Sequence, residues 1–567
     1  MNAPTMTAHE DTFARDHLPP MDQWPQFVFD GPELQYPERM NAAAELLDAA
    51  IARGWGQRTA IIAPQVGAAA TFYRSGDVRE GALRWSYAEL QGRVNRIARV
   101  LVEDMHLVAG NRVLLRAPNS PMHAACWLAV VKAGGIAVGT MPLLRARELT
   151  EIIRKAEISH ALCDARLVDE LEAAKSQCPS LMRVINFGDD PQSGLLAAMQ
   201  IKSANFQAVE TARDDVALIA FTSGTTGKPK GTVHFHRDLV AVCDCFPRTL
   251  LRATADDIFT GSPPLAFTFG LGGLLLFPLR IGAATLLLEK SAPEFLLPAI
   301  ARHRASVLFT APTSYRSMAP QASSHDLTSL RKCVSAGEAL PAATRALWKE
   351  ATGIEIIDGI GSTELLHIFI SHDEANARPG ATGKPVPGYV ACVMDDHGQP
   401  LPPGKVGRLA VKGPTGCRYL ADDRQREYVR DGWNYTGDAY LVDADGYFVY
   451  QARTDDMIIS AGYNIGGPEV ESALLLHPAV AECGVIGSKD AERGQIVKAY
   501  VVLKPGHAAD ATMTRALQDF VKATIAPYKY PRAIRYESQL PRTETGKLQR
   551  FRLRQMDAEE AAPGSAT

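Results

Sequence analysis

Ala217-Leu218-Ile219-Ala220-Phe221 runs directly into Thr222-Ser223-Gly224-Thr225-Thr226-Gly227-Lys228-Pro229-Lys230-Gly231. The first five residues form a short apolar run of the kind that makes a buried strand. The ten that follow carry four hydroxyls, three glycines and two lysines. Glycines let the backbone turn sharply and aim N–H groups at a polyanion. Hydroxyls add donors, and lysines add positive charge. A phosphate-binding turn at the end of a buried strand is therefore expected. It is not a Walker A loop, which needs G-x-x-x-x-G-K-[S/T], because Pro229 stands five residues after Gly224.

Outward from this loop, strand-like and helix-like stretches alternate. Met40 to Ala52 and Ser86 to Val102 have amphipathic helical spacing, and Ser86 with Glu89 forms a candidate capping box. Arg112 to Leu115 reads as a strand, Met122 to Lys132 as a helix, and Ile136 to Val138 as the next strand. Ala217 to Phe221, Ala284 to Leu288, Val307 to Thr310 and Ile354 to Ile357 continue the buried strands. The alternation predicts an α/β fold with mostly parallel sheets. Leu271 to Leu288, the most apolar stretch, contains Pro278, Arg280 and Gly282. It reads as a buried strand–loop–strand or strand–helix passage and not as a membrane span.

The pattern changes after Gly380. Val390 to Asp395, Gly407 to Lys412, Gly446 to Tyr450 and Met457 to Ser460 suggest a small β-rich subdomain. An α+β pattern follows Asp455: helix Pro468 to Leu476, strands near Val480 to Gly487 and Val497 to Leu503, helix Thr512 to Thr524, and a strand near Ala533 to Glu537. The first few residues and Asp557 to Thr567 read as frayed ends.

The chain has 567 residues, which calls for more than one domain. With Lys+Arg 60 against Asp+Glu 63, nothing suggests a nucleic-acid surface or a polybasic membrane anchor. Met1 to Asp11 lacks the pattern of a signal peptide, so a cytoplasmic location is expected. Nine cysteines are scattered, and the Cys243/Cys245 pair alone is neither a metal nor a redox motif.

The loop Thr222 to Gly231 resembles the signature loop of the adenylate-forming superfamily, which includes acyl- and aryl-CoA synthetases, peptide-synthetase adenylation domains and firefly luciferase. The superfamily's other motifs follow in order over nearly the whole chain. Ser335-Ala336-Gly337-Glu338-Ala339-Leu340-Pro341 resembles the segment whose backbone flanks adenine. Asp358-Gly359-Ile360-Gly361-Ser362-Thr363-Glu364 resembles the motif in which the threonine contacts the α-phosphate and the glutamate helps hold Mg²⁺. Tyr435-Thr436-Gly437-Asp438 resembles the ribose-binding motif, whose carboxylate suits a vicinal diol. Arg453-Thr454-Asp455-Asp456 resembles the hinge, with Arg453 near the ribose and Asp455 as pivot. Pro541-Arg542-Thr543-Glu544-Thr545-Gly546-Lys547-Leu548 resembles the motif carrying the catalytic lysine.

The resemblance implies a large N-terminal domain, residues 1–454, made of two stacked α/β subdomains and a small β-rich subdomain. A small mobile α+β domain, residues 455–567, follows. ATP, Mg²⁺ and coenzyme A are the implied small molecules. Thr222 to Gly227, Lys230, Gly337, Glu338, Ala339, Asp358, Gly359, Ile360, Asp438 and Arg453 would hold ATP. Lys547, Thr363 and Glu364 would act in catalysis, with Glu364 on the metal. After adenylation the small domain would swing about Asp455 and turn Gly462 and Tyr463 toward the pantetheine of coenzyme A.

Pro264-Leu265-Ala266-Phe267-Thr268-Phe269-Gly270-Leu271-Gly272 and Ile360 to Phe369 are similar to the benzoate-CoA ligase branch. There, Thr268, Phe269, Ala336, Gly361, His367 and Ile368 would wall a flat aryl pocket, with Thr268 and His367 facing an ortho substituent. Leu18-Pro19-Pro20, Gln23-Trp24-Pro25, Tyr36 to Asn41 and His234 to Leu239 look closer to 2-aminobenzoate-CoA ligases. The expected acid is benzoate or an ortho-substituted benzoate, and the expected protein a monomer or homodimer. Alternatives are a medium-chain fatty acid-CoA ligase, a protein loading a carrier-protein thiol, a luciferase-type monooxygenase, and a non-catalytic nucleotide or acyl sensor.

Overall fold

The computed structural model describes residues 7–64, 77–79, 82–188, 192–223, 229–454, 456–460, 463–490, 492–543 and 547–561. Among these residues the strands assemble into four sheets. The first has six strands, parallel through Arg183–Phe187, His160–Asp164, Arg112–Arg116, Ile136–Thr140 and Val216–Ser223. It closes on antiparallel Pro229–Phe235. The second has ten strands with a parallel centre and antiparallel edges.

The two sheets sandwich helices. All twelve residues of Pro121–Lys132 are buried, as expected for a helix covered on every side. One apolar core runs through them from Ile61 and Trp85 in the larger sheet to Val113 and Leu218 in the smaller. The capping box at Ser86 is formed, with Glu89 N–H donating to Ser86 Oγ and the Glu89 carboxylate accepting from Ser86 N–H.

Several sequence expectations are corrected. Leu271 to Leu288 is helical as far as Ile281 and becomes a strand only at Ala284–Leu286. A segment buried all round has no periodicity to separate helix from strand. Met457 to Ser460 does not belong to the β-rich subdomain: Ile458–Ser460 pairs with Tyr463–Ile465 and Gly494–Leu503 in the C-terminal sheet. The β-rich subdomain is instead built around Trp433–Val442, a long strand that the sequence reading passed over because Asn, Gly and Asp interrupt it.

The C-terminal end is not frayed at Asp557. Arg550–Ala561 is a helix, anchored by buried Leu553 and by Lys498 donating to Asp557 and Glu560 at 2.8 and 2.7 Å. Its apolar signal is sparse because charge does much of the docking. No helix among the described residues is long and apolar enough to cross a membrane.

Candidate active site

Thr222, Ala336 to Glu338 and Gly361 to Glu364 lie at or just past the carboxyl ends of strands, where ligands of open α/β sheets bind. Val216–Ser223 and Pro229–Phe235 bring in Thr222 and Lys230, paired across the ladder. Gly224, Thr225, Thr226 and Gly227, with the side chain of Ser223, lie outside the described residues. Lys332–Ser335 leads to Ala336, Gly337 and Glu338. Ile356–Gly361 carries Asp358, Gly359, Ile360 and Gly361, then turns through Thr363 and Glu364 into Ile368–Ser371.

A cleft of 640 Å³ lies between these strand ends and the C-terminal domain. Lys230, Gly337, Glu338, Ala339, Asp358, Gly359, Ile360, Gly361, Glu364, Asp438, Arg453 and Lys547 all line it. Residues from all six of the sequence motifs thus converge on one cavity. Lys547 reaches in from the small domain: a β-carbon on Gly337 would lie 3.4 Å from its Cε and 3.7 Å from its Nζ. The lysine is open to the water of the cleft yet crowded by protein. That desolvation lowers its ammonium pKa, against the attraction of Glu338 and Asp438. Burial in turn raises the carboxyls of Glu338 and Asp438, opposed chiefly by Arg542 for the first and Arg453 for the second.

Asp438 faces Arg453 across the ladder, with Nη1 3.3 Å from Oδ1. Gly437 is needed between them: its φ is +78°, and a β-carbon would come within 2.5 Å of the Arg453 guanidinium. The remaining carboxylate oxygen of Asp438 suits a sugar diol. Glu364 accepts from Tyr419 Oη at 2.5 Å, and the Lys230 ammonium stands 5.2 Å from the centroid of the Tyr419 ring. Among the described residues no cluster of three metal-ligating side chains exists. That donor set fits magnesium, which is commonly held by one or two carboxylates together with substrate phosphates.

Asp358 is buried with Oδ1 lacking a partner. Burial pushes its carboxyl up to about 7 from 3.8, opposed by Arg345. Folded Asp358 keeps its proton where the unfolded chain has lost it. Its stabilisation is therefore full below 3.8 and is lost as pH climbs through 7. Asp358→Asn is expected to remove up to ~1.4 kcal/mol per pH unit of that loss. Melting temperature against pH checks it, and an unchanged slope would refute it.

The residues expected to wall an acid pocket only partly come together. His367 is buried at the centre of four phenylalanine rings, with centroids 4.5 Å away for Phe277, 5.5 Å for Phe269 and 6.2 Å for both Phe246 and Phe309. Its Nε2 lies 3.3 Å from the Phe269 carbonyl, and its Nδ1 has no partner. Burial lowers its pKa to about 3, so the ring is neutral. Gly361 is backed by the His367 backbone, 2.8 Å from where a β-carbon would sit. Ile368 packs its side chain on Gly359, and Ala336 and Thr268 are buried.

Asp455 and Gly462 lie outside the described residues. Tyr463 does not line the cleft; its ring stacks on Tyr528 at 4.5 Å on an exposed face of the small domain. Sequence reasoning missed Tyr419 and Arg418, which sit in no periodic pattern, and quoted His234 without seeing its contact to Thr363.

A family profile described as AMP-binding enzyme matches residues 50–419, and one described as AMP-binding enzyme C-terminal domain matches 469–547. The benzoate–CoA ligase of Thauera aromatica is 34% identical over 92% of this chain and 97% of its own length. The crystal structure of the anthranilate CoA ligase AuaEII in complex with anthranoyl-AMP superposes with a TM-score of 0.87 at 33% identity, covering 94% of this chain and 100% of the other. A benzoate CoA ligase from Burkholderia xenovorans LB400 gives 0.80 at 31% identity, covering 91% and 100%.

Proposed function

The chain belongs to the AMP-binding enzyme family, and from that premise we propose that it is an AMP-forming ligase joining an aromatic carboxylate to coenzyme A. The acid is benzoate or an ortho-substituted benzoate such as 2-aminobenzoate. The observation that carries this reading is the convergence of Lys547, Glu338, Asp438, Arg453 and Glu364 on one cleft. The similarity to benzoate and anthranilate ligases supports the aromatic acid.

The reaction runs in two steps. A carboxylate oxygen attacks the α-phosphorus of ATP, and pyrophosphate leaves. The sulfur of coenzyme A then attacks the acyl carbon of the acyl-adenylate, and AMP leaves with the bonding pair. Asp438 and Arg453 hold the ribose, Gly337 to Ala339 and Asp358 to Ile360 flank the base, and Thr222 to Gly227 with Lys230 grip the phosphates. Lys547 sits where two negatively charged reactants approach, so its fixed positive charge lowers the barrier. Glu364 holds magnesium, which when bound neutralises phosphate charge. Residues 1–454 bind the substrates. Residues 455–567 act as a lid turning about Asp455, which brings Gly462 and Tyr463 to coenzyme A.

The test is to incubate the protein with MgATP, coenzyme A and separate acids, and to follow AMP and acyl-CoA by mass spectrometry. Benzoate and 2-aminobenzoate are expected to give both products, and octanoate and acetate little. Faster turnover of octanoate would sink the aromatic reading. ATP–pyrophosphate exchange without any acyl-CoA would point to a carrier-protein thiol as acceptor.

A further inference from the structure

Thr363 and Glu364 stand on a turn closed by Leu366 N–H donating to the Thr363 carbonyl at 3.2 Å and by Leu365 N–H donating to Ser362 Oγ at 3.1 Å. It passes through Leu366 at φ +69°, a left-handed conformation that a bulky residue adopts only when its surroundings impose it. Two side chains from outside the turn brace it further, His234 at the Thr363 carbonyl and Tyr419 at the Glu364 carboxylate. The Thr363 carbonyl can only accept, so His234 Nε2, 2.8 Å away, carries the proton and donates. Behind the imidazole, Nδ1 lies 3.8 Å from Asp238 Oδ2, and Asp238 is paired with Arg418. His234, Asp238 and Arg418 all have fully buried side chains.

The neighbour of Arg418 reaches the next residue of the turn: Tyr419 Oη donates to Glu364 Oε1 at 2.5 Å. Tyr419 is itself fully buried and fixed, its N–H donating to Gln425 Oε1 at 2.9 Å while Leu420 N–H donates to the Gly231 carbonyl at 2.8 Å. Glu364 and Lys230 line the same cleft with opposite charges. Left free, such a pair would close into an ion pair and present neither charge to a ligand. The Tyr419 phenol touches both groups: it binds one carboxylate oxygen of Glu364, and its ring centroid stands 5.2 Å from the Lys230 ammonium.

We propose that Tyr419 and His234 are positioning residues for the phosphate side of the site. Tyr419 sets the Glu364 carboxylate and holds it off Lys230, and His234 fixes the turn at Thr363. The inference rests on the adenylate-forming reading. It requires the two residues to matter for attack on ATP and not for transfer to coenzyme A.

Three measurements on Tyr419→Phe, His234→Leu and His234→Gln test this. They are ATP–pyrophosphate exchange with benzoate, thioester formation from supplied benzoyl-AMP and coenzyme A, and calorimetric ATP binding with and without Mg²⁺. Tyr419→Phe is expected to lower exchange kcat by about 10- to 100-fold with the benzoate KM nearly unchanged. Thioester formation stays within about threefold of wild type. The gain in ATP affinity that Mg²⁺ gives the wild type shrinks by about fivefold or more. His234→Leu matches Tyr419→Phe in exchange, and His234→Gln, which keeps a donor at similar reach, recovers most of the rate.

Equal losses in both half-reactions would overturn the proposal, because they mean general damage to the fold. No loss in either, or no rescue by glutamine, would overturn it as well. If the wild type itself leaves benzoyl-AMP untouched, the ligase reading fails, and the calorimetric comparison still decides whether Tyr419 serves the Mg²⁺–nucleotide site.

Discussion

Lys547→Ala is expected to slow acyl-adenylate formation by about 10²–10³-fold while transfer from a supplied acyl-adenylate to coenzyme A stays within about threefold of wild type. The first step brings a carboxylate toward a polyphosphate, and the lysine ammonium is the small domain's fixed charge beside Gly337. Its removal takes away an interaction that strengthens as charge gathers at the α-phosphate, so kcat falls more than substrate KM rises. Lys547→Arg is not a substitute: a planar guanidinium cannot occupy the point-charge position of an ammonium so close to Gly337. Pyrophosphate exchange and single-turnover thioester formation, measured side by side, check the asymmetry. Equal loss of both steps would mean that Lys547 does not act as the charge for adenylation.

Arg418→Leu is expected to cost about 3–5 kcal/mol of stability, because it strands a carboxylate in a dry interior. Asp238 and Arg418 are both fully buried. The guanidinium also lies 3.9 Å from the centroid of the Phe235 ring and donates to the Val233 carbonyl at 3.3 Å. Arg237 offers no replacement, since its Nε is 3.8 Å from Asp238 Oδ1, too far for a hydrogen bond. Removing both charges is far less damaging than removing one, so Arg418→Leu with Asp238→Leu should recover at least about half of the loss. Urea denaturation of the two variants beside the wild type checks this. A single variant within about 1 kcal/mol of wild type would show that the pair does not stabilise the fold.

The segments of Lys230, Gly337, Asp438 and Lys547, which the fold brings to one cleft, were legible because they carry unusual residue types at close spacing. Glycines, hydroxyls and charges crowd together where a core would place aliphatics. The alternation that predicted parallel sheets was legible for the opposite reason, since buried parallel strands read as short apolar runs. Tyr419 was not legible: a tyrosine in Cys417-Arg418-Tyr419-Leu420 has the composition of ordinary core. Its meaning comes from a carboxylate 55 residues away that only the fold brings near. The helix Arg550–Ala561 escaped because its docking rests largely on ion pairs, which leave no periodic trace. His367 was expected to face an ortho substituent; its burial among four rings and its unpartnered Nδ1 are facts of packing alone.

The strand Pro229–Phe235 has a consequence for how the chain reaches its fold. One edge pairs with the preceding strand Val216–Ser223. Its other edge is satisfied by a segment far downstream, through Val233 N–H to the Arg418 carbonyl and Leu420 N–H to the Gly231 carbonyl, each at 2.8 Å. During synthesis both strands of this ladder therefore emerge long before the residues that cover its open side. Until then it presents a bare edge of unpaired backbone, the kind of surface that recruits other strands. Closing so long a loop delays the final contacts, so the side of the cleft that carries Lys230 is expected to set late in folding.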